Sequence, residues 1–348
     1  MGCFRGVVLL DVGSMTARNL KSLSPEEMAS FLHIHAGTPV QSQNVYRSLY
    51  RDHVSDISEL QLGAKVRAKL EKEAYIPSLR PTGVMDSEDG SKKLVFRVPE
   101  GTFEAVSIPI KDRITVCISS QVGCVLDCSF CITGTLGFKR NLLAWEMVEQ
   151  ILCAQKEAGK KVSNVVFMGM GEPFYNVAEV KKCVQIITSH HGLGIGKSKI
   201  TVSTSGVIPE MVRWGKEVGT NLAVSVIAAT EEKRSRLMNI NKKYPLKDLI
   251  AAIREYTEVT GKKVFCEYVL MNGLTDEVSD VDALVALFVG MNVTINLIPY
   301  NDNPTLPYKR PDREATLDFR HRLTQRGLFC TIRWSYGGDI GAACGQLA

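Results

Sequence analysis

Ile114-Thr-Val-Cys-Ile118 runs through Ser119-Ser-Gln-Val-Gly123 into Cys124-Val-Leu-Asp-Cys128-Ser-Phe-Cys131, an apolar β-branched run followed by three cysteines four and three residues apart. The run reads as a strand and the cysteines as a loop at its carboxyl end. Their spacing lets three thiolates point at one compact inorganic centre. Three soft ligands without an obvious fourth suit an iron–sulfur cluster with one iron left open. The alternative is a structural zinc site with Cys117 as fourth ligand, because zinc favours four-coordinate closure. An open iron binds a substrate or cosubstrate, so the first reading makes the chain an enzyme.

Downstream, the same beat repeats. Val165 to Met168, Lys199 to Ser203, Leu222 to Val226, Val264 to Met271, Thr294 to Ile298 and Leu328 to Trp334 are further strand-like runs, with helical stretches such as Trp145 to Ala158 and Val177 to Ser189 between most of them. Seven apolar, β-branched runs in this rhythm predict an α/β fold, a parallel sheet wrapped by helices as a barrel or partial barrel. Chemistry in such folds sits at the carboxyl ends of the strands, which is where the cysteine loop falls.

Upstream, the period differs. Ser24 caps Pro25 to Leu32, Val45, Leu49 and Tyr50 recur at helical spacing, and Leu60 to Tyr75 follows, so a small helical module is expected. Leu94, Phe96 and Val98 then alternate, and after Pro99-Glu100-Gly101 comes Phe103 to Ile110, a hairpin signature. The expected organisation is a helical accessory domain with its linker over residues 1–90 and a catalytic domain over 91–348. A length of 348 residues with 45% apolar content is enough for both.

The net charge of +5 permits nucleic-acid binding without requiring it. Ten cysteines with no charged-then-apolar secretory leader point to a reducing compartment, with cytoplasm as the expectation. No apolar run approaches the roughly 20 residues that a spanning helix needs.

Other segments fall at the same sheet edge. In Met168-Gly-Met-Gly171-Glu172-Pro173, the glycines admit close approach of a ligand and Glu172 offers a carboxylate to an amine; a plain strand-to-helix turn is the alternative. Ser203-Thr-Ser-Gly206 and Asn301 either bind a ligand or cap the next helix. Cys344 lies in the small-residue tail Gly341-Ala-Ala-Cys-Gly-Gln-Leu-Ala348, as an accessible thiol or an incidental one. Cys153, Cys183, Cys266 and Cys330 read as core residues and Cys3 as incidental. Gly192 to Ser198 lacks the first glycine of a phosphate loop, since His191 stands there, and reads as a turn.

With these residues in hand, the chain resembles radical S-adenosylmethionine (SAM) enzymes, and more closely the RlmN/Cfr type of RNA adenine methyltransferases. The resemblance rests on Ser119-Ser-Gln-Val-Gly-Cys124, Gly169-Met-Gly-Glu-Pro173, Thr201-Val-Ser-Thr-Ser-Gly206, Asn239-Ile-Asn-Lys-Lys-Tyr-Pro245, Asn296-Leu-Ile-Pro-Tyr-Asn301 and Asp339-Ile-Gly-Ala-Ala-Cys-Gly-Gln-Leu347, in the family's order. It implies a partial (β/α) barrel with an N-terminal RNA-binding accessory domain. It also implies a 4Fe-4S cluster on Cys124, Cys128 and Cys131, and SAM contacts from Gly171, Glu172, Ser203, Ser225 and Asn301. The product implied is adenine methylated at a ring carbon, carbon 2 foremost, in 23S ribosomal RNA and also in transfer RNA.

On the same resemblance, Cys344 takes a methyl group from one SAM and a second SAM yields the radical that activates it. Carbon 2 of adenine is electron-poor and the SAM methyl is an electrophile, so a radical route avoids pairing two electrophiles. RNA is then tethered through Cys344, Glu104 accepts the ring proton, and Cys117 releases the product by closing a transient disulfide with Cys344. An electron donor such as flavodoxin or ferredoxin is implied as partner. Two positions depart from the family: Ile227 stands where histidine or asparagine is usual, and Tyr336 where arginine is usual. A radical SAM enzyme acting on another substrate, and a zinc-stabilised RNA-binding protein without catalysis, are the competing readings.

Overall fold

The computed structural model describes residues 17–348, so Cys3 lies outside the described residues. The chain divides into two compact units between Ser78 and Leu79.

In the first unit, α1 (Pro25–Ile34) begins where Ser24 and Glu27 exchange side-chain and backbone hydrogen bonds, Ser24 N to Glu27 Oε2 at 2.7 Å and Glu27 N to Ser24 Oγ at 3.2 Å. Thr38 and Gln41 repeat this device at α2 (Pro39–Tyr50). Such boxes satisfy orphan donors of the first turn. The third helix, α3 (Ala64–Glu73), is shorter than the expected Leu60 to Tyr75 because Ala74–Tyr75 leaves it to pair in parallel with Arg18–Asn19. Leu20, Met28, Leu32, Leu49 and Leu70 are fully buried among these elements, each contributing about 2 kcal/mol.

The second unit is built on a ten-stranded sheet. Strands β1 (Gly83–Asp86), β2 (Lys92–Val98) and β3 (Gly101–Ile110) run antiparallel and lead into β4 (Arg113–Cys117). Because Gly83–Asp86 pairs with Lys92–Val98, the unit starts earlier than the expected change at residue 91. From β4 onward the sheet is parallel: β5 (Val162–Phe167), β6 (Ile200–Thr204), β7 (Asn221–Ser225), β8 (Val264–Leu270), β9 (Val293–Pro299) and β10 (Cys330–Ile332) follow in spatial order. These are the seven expected runs. Every residue of β9 is buried, as a strand covered on both faces requires. Crossover helices include Ala144–Ala158 after the cysteine loop, Val177–Thr188 after β5 and Leu246–Thr260 before β8.

The sheet is open, with β10 and β1 at its edges. At the usual strand spacing, β4 and β10 would lie about 29 Å apart in a flat sheet. Yet Cys117 of β4 and Arg333, just after β10, line one cavity. The parallel part is therefore curled into a partial barrel, with its strand carboxyl ends facing a common space.

Candidate active site

The first component is the cysteine loop. A two-residue antiparallel pair, Gln121–Val122 with Arg140–Asn141, closes its base. The closure is so tight that a Cβ on Gly123, at φ 71°, would lie 1.9 Å from the Gly137 carbonyl oxygen. Inside the loop, Cys131 N donates to Cys128 O at 3.1 Å and Leu126 N to Cys124 Sγ at 3.3 Å. Asn239 Nδ2 bonds Asp127 Oδ2 at 2.6 Å, which gives the Asn239-Ile-Asn segment a structural task.

All three loop cysteines line one cavity that opens to the surface. Burial pushes the Cys124 thiol up to about 12 and Cys128 well above the ordinary range, and the neighbouring sulfurs add to the effect. Loading such thiols with metal must release their protons. Among the described residues, no three His, Cys, Asp or Glu side chains converge closely enough to hold a single ion. Three soft donors lining one cavity suit an iron–sulfur cluster. Cys117 does not join them there, because it faces the neighbouring cavity.

Gly171, Glu172, Ser203, Ser225 and Asn301 all line the same cavity as the loop cysteines. Gly171 has φ 99°, and a Cβ there would stand 2.5 Å from Gln121 Cβ. Gln121 in turn accepts from Glu172 N at 3.0 Å and Val125 N at 3.3 Å, coupling the glycine turn to the cysteine loop. The Glu172 carboxylate is committed to backbone donors, Phe174 N at 3.0 Å and Ser205 N at 2.7 Å. Burial raises its pKa while those bonds oppose the rise. Behind the serines, fully buried Arg234 donates to Val226 O, Asn241 Oδ1 and Ser205 O at 3.1, 2.6 and 2.7 Å, tying the loops after β6 and β7 together. Ile227 also lines the cavity, with φ 67°, an outlier for a β-branched side chain.

The second component is the tail. Ile132 N donates to Gly345 O at 2.8 Å, Thr133 Oγ1 to Leu347 O at 2.7 Å, and Asn301 Nδ2 to Cys344 O at 3.0 Å. The segment is docked, and the exposure of Cys344 is to cavity space within the fold. A second, smaller cavity brings Cys117 and Cys344 together beside Cys131 and Arg333. Burial pushes Cys117 up to about 12, reinforced by the neighbouring Cys344 and opposed by Arg333. The Cys344 thiol is raised by burial, again against Arg333.

Arg333 is held by Glu267 of β8, whose Oε1 accepts from Asn296 Nδ2 at 3.0 Å, and Asn296 Oδ1 accepts from Thr331 Oγ1 at 2.5 Å. Sequence reading missed Arg333, Glu267, Gln121 and Arg234. For Glu267 the available signal was a charge inside an apolar strand run, Val264-Phe-Cys-Glu267-Tyr-Val-Leu270.

Glu104 lies elsewhere. It is buried on β3, paired with Lys93 Nζ at 3.2 Å and accepting from Ala348 N at 3.1 Å, and it lines neither cavity. Burial raises its pKa, with Lys93 opposing. Of the other cysteines, Cys183 and Cys266 are buried, and Cys153 and Cys330 are half-buried.

A curled parallel sheet that gathers three cysteines and a run of polar strand ends around one cavity is the architecture of a radical SAM enzyme. Residues 118–285 match the Radical SAM superfamily. The dual-specificity RNA methyltransferase RlmN of Geobacter sulfurreducens is 40% identical over 95% of this chain and 92% of its own length. The RlmN of Syntrophotalea carbinolica is 41% identical over 95% and 90%. The crystal structure of a radical SAM methyltransferase from Sphaerobacter thermophilus aligns with a TM-score of 0.89 at 38% identity, covering 95% of this chain and 99% of that one. The chain belongs to the RlmN family of radical SAM methyltransferases. Membership implies a 4Fe-4S cluster and SAM, and the three thiols along the larger cavity fit that demand. Among the described residues, no helix is long and apolar enough to cross a membrane.

Proposed function

We propose that this enzyme methylates carbon 2 of an adenine in RNA, with 23S ribosomal RNA as the main substrate and transfer RNA as a second, using two SAM molecules per turnover. Cys124, Cys128 and Cys131 would hold the cluster, and Gly171, Glu172, Ser203, Ser225 and Asn301 would seat SAM. When bound, the cluster and SAM supply a carbon radical able to remove hydrogen from an unactivated methyl group.

The remaining work falls to this chain's residues. The Cys344 sulfur accepts a methyl group from SAM, and the activated methyl carbon bonds to the adenine ring, tethering the RNA to the tail. Glu104 takes the ring proton once the tail shifts off its carboxylate; its raised pKa suits a group that must hold a proton. The Cys117 thiolate attacks the Cys344 sulfur, the sulfur–methylene bond breaks as the disulfide forms, and the released carbon takes a proton to complete the methyl group; a dithiol reductant then returns Cys117 and Cys344 to thiols. An electron donor such as flavodoxin or ferredoxin serves the cluster, the helical unit contributes RNA contacts, and the cytoplasm is the site of action.

The observation that carries this reading is the shared cavity of Cys117 and Cys344 beside Cys131. The test is nucleoside mass spectrometry of RNA treated with purified, cluster-loaded enzyme. Cys344→Ala should abolish 2-methyladenosine, and Cys117→Ala should accumulate RNA crosslinked to protein. Undiminished methylation by Cys344→Ala would overturn the proposal.

A further inference from the structure

The smaller cavity has a wall that the thiol chemistry leaves unused. Trp334, Ser335 and Tyr336 line it together with the tail residues Ala342 to Gly345. Ser335 Oγ is buried there without a hydrogen-bond partner, a cost that a bound ligand would remove. Tyr336 is 38% exposed despite lying on this wall. The exposed guanidinium groups of Arg313 and Arg310 stand over the Trp334 ring, at 4.8 and 5.8 Å from its centroid.

The wall is rigidly braced. Arg333 N donates to Leu297 O at 2.9 Å on one side of it. On the other side, Gly337 N donates to Asp89 Oδ2 at 2.7 Å, and Asp339 accepts from Ser87 Oγ and Glu88 N at 2.6 and 3.1 Å. The turn between β1 and β2 thus fixes the loop that follows β10. An unstacked purine needs a flat aromatic face, a polar group at its edge and cations for the flanking phosphates. This wall offers all three beside Cys117 and Cys344.

We propose that Trp334-Ser335-Tyr336 is the seat of the target adenine: the Tyr336 ring stacks on the base, the Ser335 hydroxyl bonds its edge, and Arg310 and Arg313, held over Trp334, meet neighbouring phosphates. This rests on the reading that RNA adenine is the substrate.

The experiment measures the affinity of the cluster-loaded enzyme for a 23S ribosomal RNA transcript by filter binding, which needs no turnover. In parallel, mass spectrometry gives the KM for SAM in methylation of Cys344 without RNA. Tyr336→Ala should weaken RNA binding about tenfold, and Tyr336→Phe should keep it within about twofold. The double variant Arg310→Gln/Arg313→Gln should flatten the salt dependence of RNA binding by about two units of slope, which keeps the proposal testable even if Tyr336→Ala folds poorly.

Unchanged RNA affinity in Tyr336→Ala together with an unchanged salt slope in the double variant would overturn the proposal. So would a shift confined to the KM for SAM, since the wall would then serve the cosubstrate. Absence of Cys344 methylation in the wild type would count against the proposed function, while the binding contrast would still decide this inference.

Discussion

Arg333 Nη1 lies 3.2 Å from both carboxylate oxygens of Glu267, so a cation from the end of β10 is anchored on the middle of β8 and held beside Cys117 and Cys344. Both thiols are raised by burial, and Arg333 pulls each of them back toward the thiolate. The buried Asn296–Thr331 pair fixes Glu267 from behind. The tail and the sheet therefore meet across an ion pair as well as across a space.

Glu267→Ala should leave that guanidinium unpaired and strip an acceptor from Asn296. Removing one partner of a fully buried pair costs about 3 kcal/mol or more, and the cost here should fall to about 1–2 kcal/mol because the Arg333 side chain is 36% exposed. Urea unfolding should show the loss, and Glu267→Ala/Arg333→Ala should recover part of it in a double-mutant cycle. Strict additivity of the two single variants would show that the pair is uncoupled.

Alkaline pH should destabilise the fold before it affects most other groups. Cys117 and Cys330 are pushed up to about 12 by burial, and Cys183 and Cys266 are raised as well. In the unfolded chain a thiol ionises near 8.5, so above that pH the unfolded state releases protons that the folded state keeps. Stability is then complete below about 8.5 and falls by roughly 1.4 kcal/mol per pH unit for each thiol until the folded value is passed. Urea midpoints measured anoxically at pH 7.5, 9 and 10 should decline, and Cys183→Ala should lessen the slope. A flat profile would contradict the burial of these thiols.

Ile227 occupies the left-handed region at φ 67° on the wall of the larger cavity. That conformation costs about 1–2 kcal/mol for most side chains, while asparagine adopts it readily. Ile227→Asn should relieve the strain and present an amide to the ligand, tightening SAM binding about fivefold by equilibrium dialysis. Ile227→Ala, without amide or left-handed preference, is the control. Equal affinities in the two variants would remove residue 227 from the ligand's surroundings.

Local information was legible. The seven parallel strands and the cap at Ser24 follow from side-chain period and from hydrogen-bonding groups within a few residues of one another, and the cysteine loop from ligand spacing along the chain. Gly171, Glu172, Ser203 and Asn301, which line the larger cavity with the loop cysteines, stood out because each lies at or near the carboxyl end of its strand, whereas Ser225 was picked out only by the family resemblance. What the chain could not announce were relationships set by the curl of the sheet and the docking of the tail. The left-handed backbone at Ile227, the bracing of the cysteine loop by Gln121, the knotting of two loops by Arg234 and the Arg333–Glu267 anchor each depend on groups brought close by folding. Sequence by itself determined the order of the elements and the spacing of the three loop cysteines, since both are local to the chain. Only the tertiary structure decided that Cys117 lines one cavity with Cys344, the partner the resemblance implied for it, while Glu104 sits apart under Ala348, because closing a parallel sheet moves strand ends that pairing alone would hold about 29 Å apart into one cavity.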